Sequence, residues 1–156
     1  MTLRETEEDE GWLIMIREFK HGRIFFARLD HGADIISQIT NLAEEKEIET
    51  GALSAIGALS RAELGYYDQL SHEYGTIFLN EPVELASCSG NISMRDGRPF
   101  VHAHAVLSDR TGRTFGGHLT CGTIFAAELY LQELSGLPLK RVPDSITGLN
   151  LWGKEQ

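Results

Sequence analysis

Hydrophobic and polar positions change their period from segment to segment along the chain. The runs "GWLIMIREF" and "RIFFARL", rich in β-branched and aromatic residues and bounded by "KHG" and "DHGAD", predict two strands around a turn. From Asp34 the spacing becomes helical. Ile35, Ile36, Ile39, Leu42 and Ala43 fall on one face with charged residues opposite, which predicts the main helix of the chain, and the following "AEEKEIE" reads as its exposed face. "GALSAIGAL", "AELGYYD", "TIFL" and "VELASCSGNISM" then follow at strand length, punctuated by Gly, Ser, Asn and Pro. "TIFAAELYLQEL" fits a helix by propensity, but the alternation of Phe125, Ala127, Leu129 and Leu131 favours a strand. The tail "LPLKRVPDSITGLNLW", with Pro138 and Pro143, is expected to hold a short strand or turn.

Two turns set the pairing in the middle of this pattern. Asp96-Gly97 is a pair favoured in two-residue type I′ turns, so "CSGNISM" and "FVHAHAVLSD" are expected to form a hairpin. That register sets Asn91 opposite His102 and Ser89 opposite His104, polar neighbours suited to orienting an imidazole. In "DRTG", Asp109 and Gly112 suit the first and fourth positions of a type I turn, which favours a three-residue loop, Arg110 to Gly112, with a glycine bulge. Asp109 then opposes Arg113, and counting back along both strands sets His104 directly opposite His118. A two-residue loop would instead send His118 to the other face, and Gly116-Gly117 could itself hold a bulge.

Alternation puts His102 and His104 on one face of their strand, with Val101, Ala103, Ala105 and Leu107 on the other, where Phe115, Leu119 and Cys121 join them. Three of the six histidines thus converge. Opposed Cβ atoms lie roughly 4.5–5.5 Å apart, close enough for rings to reach one ion at about 2.0–2.1 Å from each nitrogen. Three neutral nitrogen donors on a sheet suit zinc, or another divalent transition metal, so His102, His104 and His118 are the candidate metal ligands. Gly116 and Thr120 leave room on that face for a ligand. His21, His31 and His72 lie in polar or turn-like stretches and read as surface residues.

At 156 residues with 42% hydrophobic and 24% charged positions, the chain is expected to form a globular domain over residues 11–156, preceded by a flexible acidic N-terminal arm at 1–10. No apolar run approaches membrane-spanning length, and the acidic start differs from a secretory signal, so a cytoplasmic protein without membrane contact is expected. Cys88 and Cys121 read as reduced and buried. A net charge of −9 opposes nonspecific binding to nucleic acid.

The stretches "GALSAIGALSRAELGYYD", "GNISMRDGRPFVHAHAVLSDRTGRTFGGHL" and "CGTIFAAEL" resemble the plant-and-prokaryote-conserved (PPC) domain family, whose plant members fuse the domain to AT-hook DNA-binding motifs. The resemblance runs from "LDHGADI" to "ITGLNLW". It implies an α+β fold, a strongly bent and mostly antiparallel sheet with one main helix, similar to acetolactate decarboxylase and assembled as a homotrimer. It also implies a metal on His102, His104 and His118, matching the zinc-binding HxH pair and later histidine of that enzyme. The acid and base groups of the enzyme find no counterpart here. The AT-hook core Arg-Gly-Arg-Pro is absent, and "DGRP" echoes it only in part because its first residues make a turn.

Three functions follow as expectations. The first is a trimeric metal-binding protein, zinc being the expected cofactor, with a regulatory or ligand-binding role toward a small molecule. The second is a zinc-dependent hydrolase or lyase acting through metal-bound water, for which Glu128 is a weak candidate proton carrier. The third is a DNA-associated regulatory protein, against which the acidity counts.

Overall fold

The structure, a computed structural model, describes residues 14–153; the acidic arm expected at 1–10 lies outside them. Nine elements follow in order: β1 (Lys20–Leu29), α1 (Ile35–Glu45), β2 (Gly51–Asp68), β3 (Glu73–Leu79), β4 (Val83–Arg95), β5 (Arg98–Ser108), β6 (Thr114–Ser135), β7 (Arg141–Pro143) and β8 (Asn150–Trp152). The first six of the eight strands form one antiparallel sheet in the order β1-β6-β5-β4-β2-β3, and β7 pairs with β8 as a separate hairpin.

A second pairing bends this sheet on itself. β6 bonds to β2 along one edge, from Gly51↔Glu133 to Gly65↔His118, while its first residues bond to β5 on the other. β2, β4, β5 and β6 therefore close a ring. Register shifts in the β2–β6 ladder fall between Ala58 and Leu59, Leu59 and Arg61, and Glu63 and Leu64. Such bulges add local twist, which is how strands this long can curl.

The helix forms where its apolar spacing predicts. Asp34 caps it, its Oδ1 accepting from the Ser37 N–H at 2.8 Å. Ile35, Ile39 and Ala43 are fully buried, and the helix packs on β5 and β6. Only the beginning of "AEEKEIE" is helical: α1 ends at Glu45, Glu47 turns through a φ of 55°, and Ile48 returns to the core.

Three further expectations change or resolve. The strand read in "GWLIMIREF" does not form over its described part, residues 14–19, where Ile14 and Ile16 are exposed. No described strand pairs with this segment, so its apolar alternation finds no ladder. "GALSAIGALSRAELGYYD" is one 18-residue strand rather than two, since the ladder to β6 shifts at Ser60-Arg61 and continues instead of breaking there. "TIFAAELYLQEL" is strand, as its alternation indicates. Cys88 is buried and Cys121 half-buried, both free thiols. No described helix is long and apolar enough to cross a membrane.

Candidate metal centre

The site is built by two turns. Asp96 and Gly97 have φ of 51° and 76°, both positive as a type I′ turn requires, and Arg95 opposes Arg98. Counting inward, Asn91 pairs with His102 and Ser89 with His104. The β5–β6 loop closes through Asp109 N–H to Arg113 O at 3.0 Å and Gly112 N–H to Asp109 O at 2.9 Å, with Gly112 at φ 83°. This is the three-residue loop the sequence favours. Its register places His104 opposite His118.

The Asp109 carboxylate locks the loop. It accepts from Thr111 N at 2.8 Å, Thr111 Oγ1 at 2.6 Å and Arg113 Nε at 2.7 Å, and these bonds, Thr111's hydroxyl foremost, hold its pKa far below the usual carboxylate range.

On β5, Val101, Ala103, Ala105 and Leu107 are buried in the core, and the alternate residues His102 and His104 face outward. The three rings meet there, with centroids 5.2 Å apart for His102–His104 and His102–His118 and 5.5 Å for His104–His118. One ligating atom from each lies within 4.8 Å of the others. β4 can approach β5 closely because residue 90 is glycine: a Cβ there would stand 2.3 Å from the His102 carbonyl oxygen. Burial pushes the His102 pKa down to about 4, helped by the Arg141 charge and the neighbouring imidazoles. Burial and His104 lower His118 in the same direction. Both rings are thus neutral at pH 7, the form that offers a lone pair to a metal.

Beside the rings lies a cleft of about 500 Å³ bordered by Thr120, Tyr74 and Arg141. Arg141 is the site residue that the sequence does not announce. It comes from β7, brought to β4 by a Met94↔Lys140 bridge. Its guanidinium donates to Ser93 Oγ at 2.9 Å, Asn150 O at 3.0 Å and Asn91 Oδ1 at 3.1 Å, and lies 3.3 Å from His102 Nδ1. Asn91, predicted to orient His102 directly, thus acts through this arginine. The "LKR" step is the single local signal for it, and nothing in its spacing ties it to a strand 46 residues earlier.

The remaining histidines stay apart from the cluster. His21 meets Gln132, His31 meets the Phe125 carbonyl, and His72 stacks on Tyr67, all three exposed. Glu128 is exposed and pairs in register with Arg28 and Ile56, ten residues along β6 from His118, a path of roughly 30 Å at strand rise. The structure does not bring it to the histidines. Cys121 sits across from Glu63 and is not among the clustered groups.

The donor set fits a transition metal. Tetrahedral ligation at about 2.0–2.1 Å separates ligand nitrogens by roughly 3.4 Å. Small rotations of three side chains close that gap from 4.8 Å.

Comparison with known proteins agrees with this architecture. A metal-containing protein from Archaeoglobus fulgidus is 45% identical, with a TM-score of 0.87 over 89% of this chain and 99% of that one. A plant- and prokaryote-conserved (PPC) protein from Pyrococcus horikoshii is 38% identical, with a TM-score of 0.86 over 92% and 99%. Among curated proteins, the bifunctional protein GlmU of a Synechococcus strain is 35% identical over 129 residues, 81% of this chain; the chain spans about a fifth of the length of the curated relatives it matches, 19% in that case. More distantly, a protein from Ralstonia eutropha described as a candidate DNA-binding protein is 27% identical, with a TM-score of 0.74 over 82% and 89%. Alpha-acetolactate decarboxylase from Bacillus subtilis, at 11% identity and a TM-score of 0.54 over 85% and 60%, shares the fold alone. The sequence profile of the Plants and Prokaryotes Conserved (PCC) domain matches residues 16–135, which include every strand of the bent sheet and all three clustered histidines, and the chain belongs to that family.

Proposed function

We propose that this chain is a metal-binding protein that holds one divalent transition metal, zinc by its donor set, on His102, His104 and His118, in a ligand-binding or regulatory role. The observation that carries the reading is the convergence of three ligating atoms within 4.8 Å on a sheet face fixed by two tight turns. The Archaeoglobus fulgidus relative, described as metal-containing, supports it. When bound, the metal would supply a Lewis acid with a coordination position left for a ligand oxygen. The protein's part is to favour the neutral form of His102 and His118 by burial, to orient the three imidazoles by the strand register, and to present the adjoining cleft.

The ligand-binding reading is placed ahead of hydrolase or lyase chemistry because Glu128, the candidate proton carrier for that chemistry, is not brought to the histidines, and the described residues lining the cleft include no carboxylate. Autonomous DNA binding is disfavoured by the net charge of −9. The homotrimer that the family resemblance implies is part of this proposal, and apolar side chains exposed on β1, β6 and β2 are consistent with it.

Elemental analysis of protein purified without a metal-affinity tag tests the site. About one transition-metal ion per chain is expected, falling toward zero in His104→Ala. His104 is exposed, so this variant is expected to keep the wild-type circular dichroism spectrum. A metal-free wild type, or a variant that retains its metal, rejects the reading.

A further inference from the structure

The cleft beside the histidines has a charge opposite to that of the chain. The protein carries a net −9, yet the residues lining this cleft include Arg95, Arg141, His102 and His118 and no carboxylate. Both arginines stand against one aromatic ring: the Cζ atoms of Arg95 and Arg141 each lie 5.2 Å from the Phe100 centroid. Trp152 flanks Arg141 as well, at 5.9 Å. Among the described residues, the acidic partner of Arg95 is its exposed neighbour Asp96, at 3.7 Å.

Arg141 is also held rigidly for a group without an acidic partner. Ser93, whose side chain is fully buried, accepts from Nε, and Asn91 and Asn150 accept from the two terminal nitrogens. Every described acceptor is neutral. A guanidinium is normally placed in a half-buried position with a carboxylate or phosphate, because its planar fork matches two oxygens of an anion. Here three neutral groups and two rings aim it, and its charge remains for something that enters the cleft.

We propose that the cleft binds a small organic carboxylate whose oxygens Arg141 holds beside the histidine cluster. Leu149 and Leu151 give the cleft apolar walls that suit a hydrocarbon body, which inorganic phosphate lacks. Its volume of about 500 Å³ admits a small molecule and not a folded partner.

The proposal deepens the metal reading and rests on it for one further consequence. Arg141 Nη2 lies 3.3 Å from His102 Nδ1, so it donates to that nitrogen's lone pair. A neutral imidazole has one lone pair and one N–H. If Nδ1 ligates a metal, its lone pair is consumed; if Nε2 ligates, Nδ1 keeps the proton and cannot accept. Either way Arg141 loses this acceptor, and an N–H of a residue that lines the cleft is released for another acceptor. Loading the metal therefore strengthens carboxylate binding, and by linkage the carboxylate strengthens metal retention.

Calorimetric titration with butyrate, its neutral isostere butyramide and inorganic phosphate tests this, on protein of measured zinc content. Zinc-loaded wild type is expected to bind butyrate more tightly than either control, and more tightly than zinc-free protein does. Arg141→Gln, compared with wild type at equal measured zinc content, should weaken butyrate roughly 10- to 100-fold, the usual effect of removing a charged hydrogen-bond donor. Because Arg141 also ties β7 and β8 to β4, Arg95→Gln serves as a second variant outside that hairpin and should weaken butyrate several-fold. Equal affinity for butyramide, tighter binding of phosphate, or undiminished butyrate affinity in both variants overturns the carboxylate site. A wild type that takes up no zinc refutes the metal reading separately, and the metal-free titration then decides the anion site: butyrate binding lost in the variants upholds it, and absence of binding overturns it.

Discussion

Four hydrogen bonds reach the Asp109 carboxylate from Thr111 and Arg113, and the carboxylate is buried although it is charged. Its function is local: it fixes the loop length, and the loop length decides which histidine faces which. The bonds favour the ionised form, so the folded state holds the proton less tightly than the unfolded chain. The stability this contributes is present above the unfolded pKa of about 3.9 and is lost as pH falls below it. Asp109→Asn should therefore lower the thermal midpoint at pH 7, and the gap from wild type should narrow as the pH is taken to 3, as read by melts across that range. A gap independent of pH would show that the charge is not what matters. At this scale the histidine cluster was legible: the three histidines, their shared face and the Asp109 turn all follow from spacing. Arg141 was not, because a residue 39 positions from His102 carries no periodicity that links the two.

The main helix shows how an element joins the sheet. Asp34 accepts from Ser37 N and Ser37 Oγ with Oδ1, and from Gly122 N on β6 at 2.9 Å with Oδ2. One side chain thus caps α1 and anchors it to the sheet. Asp34→Ala is expected to cost about 1–2 kcal/mol in urea denaturation, the upper part of the range for a lost N-cap, because the Gly122 bond goes with it. A loss under a few tenths of a kcal/mol would mean that water replaces both. The helix and the two hairpins were readable because each is fixed by residues within a few positions of one another. The strands were harder: β2 looks like two elements because the polar pair Ser60-Arg61 interrupts its apolar pattern, whereas the ladder to β6 continues across it with local shifts. The opposite error occurs at Ile14 and Ile16, where a good strand pattern finds no neighbouring strand.

Among the described residues, a solvent-facing surface on β1, β6 and β2 carries large apolar side chains on an otherwise acidic molecule. Phe26 is 82% exposed and stands opposite Tyr130, with Ile24 at 55% on the same strand face and Ile56 at 56% on β2. Large apolar side chains exposed on a sheet face suit an association surface. In the proposed homotrimer this face is buried between copies, so Phe26→Glu is expected to shift the sedimentation coefficient from trimer to monomer while the circular dichroism spectrum is kept. A trimer that survives the substitution would place the interface elsewhere. By itself the sequence determined the helix, the hairpin registers, the histidine face and the family, since capping, turn chemistry and alternation act over a few residues and leave a local trace. Tertiary structure alone decided that β6 closes the sheet onto β2, that β7 delivers Arg141 to the histidines, and that an acidic chain encloses a cationic cleft. Those outcomes depend on which distant segments satisfy one another's backbone bonds and buried charges, and such pairings leave no period in the chain.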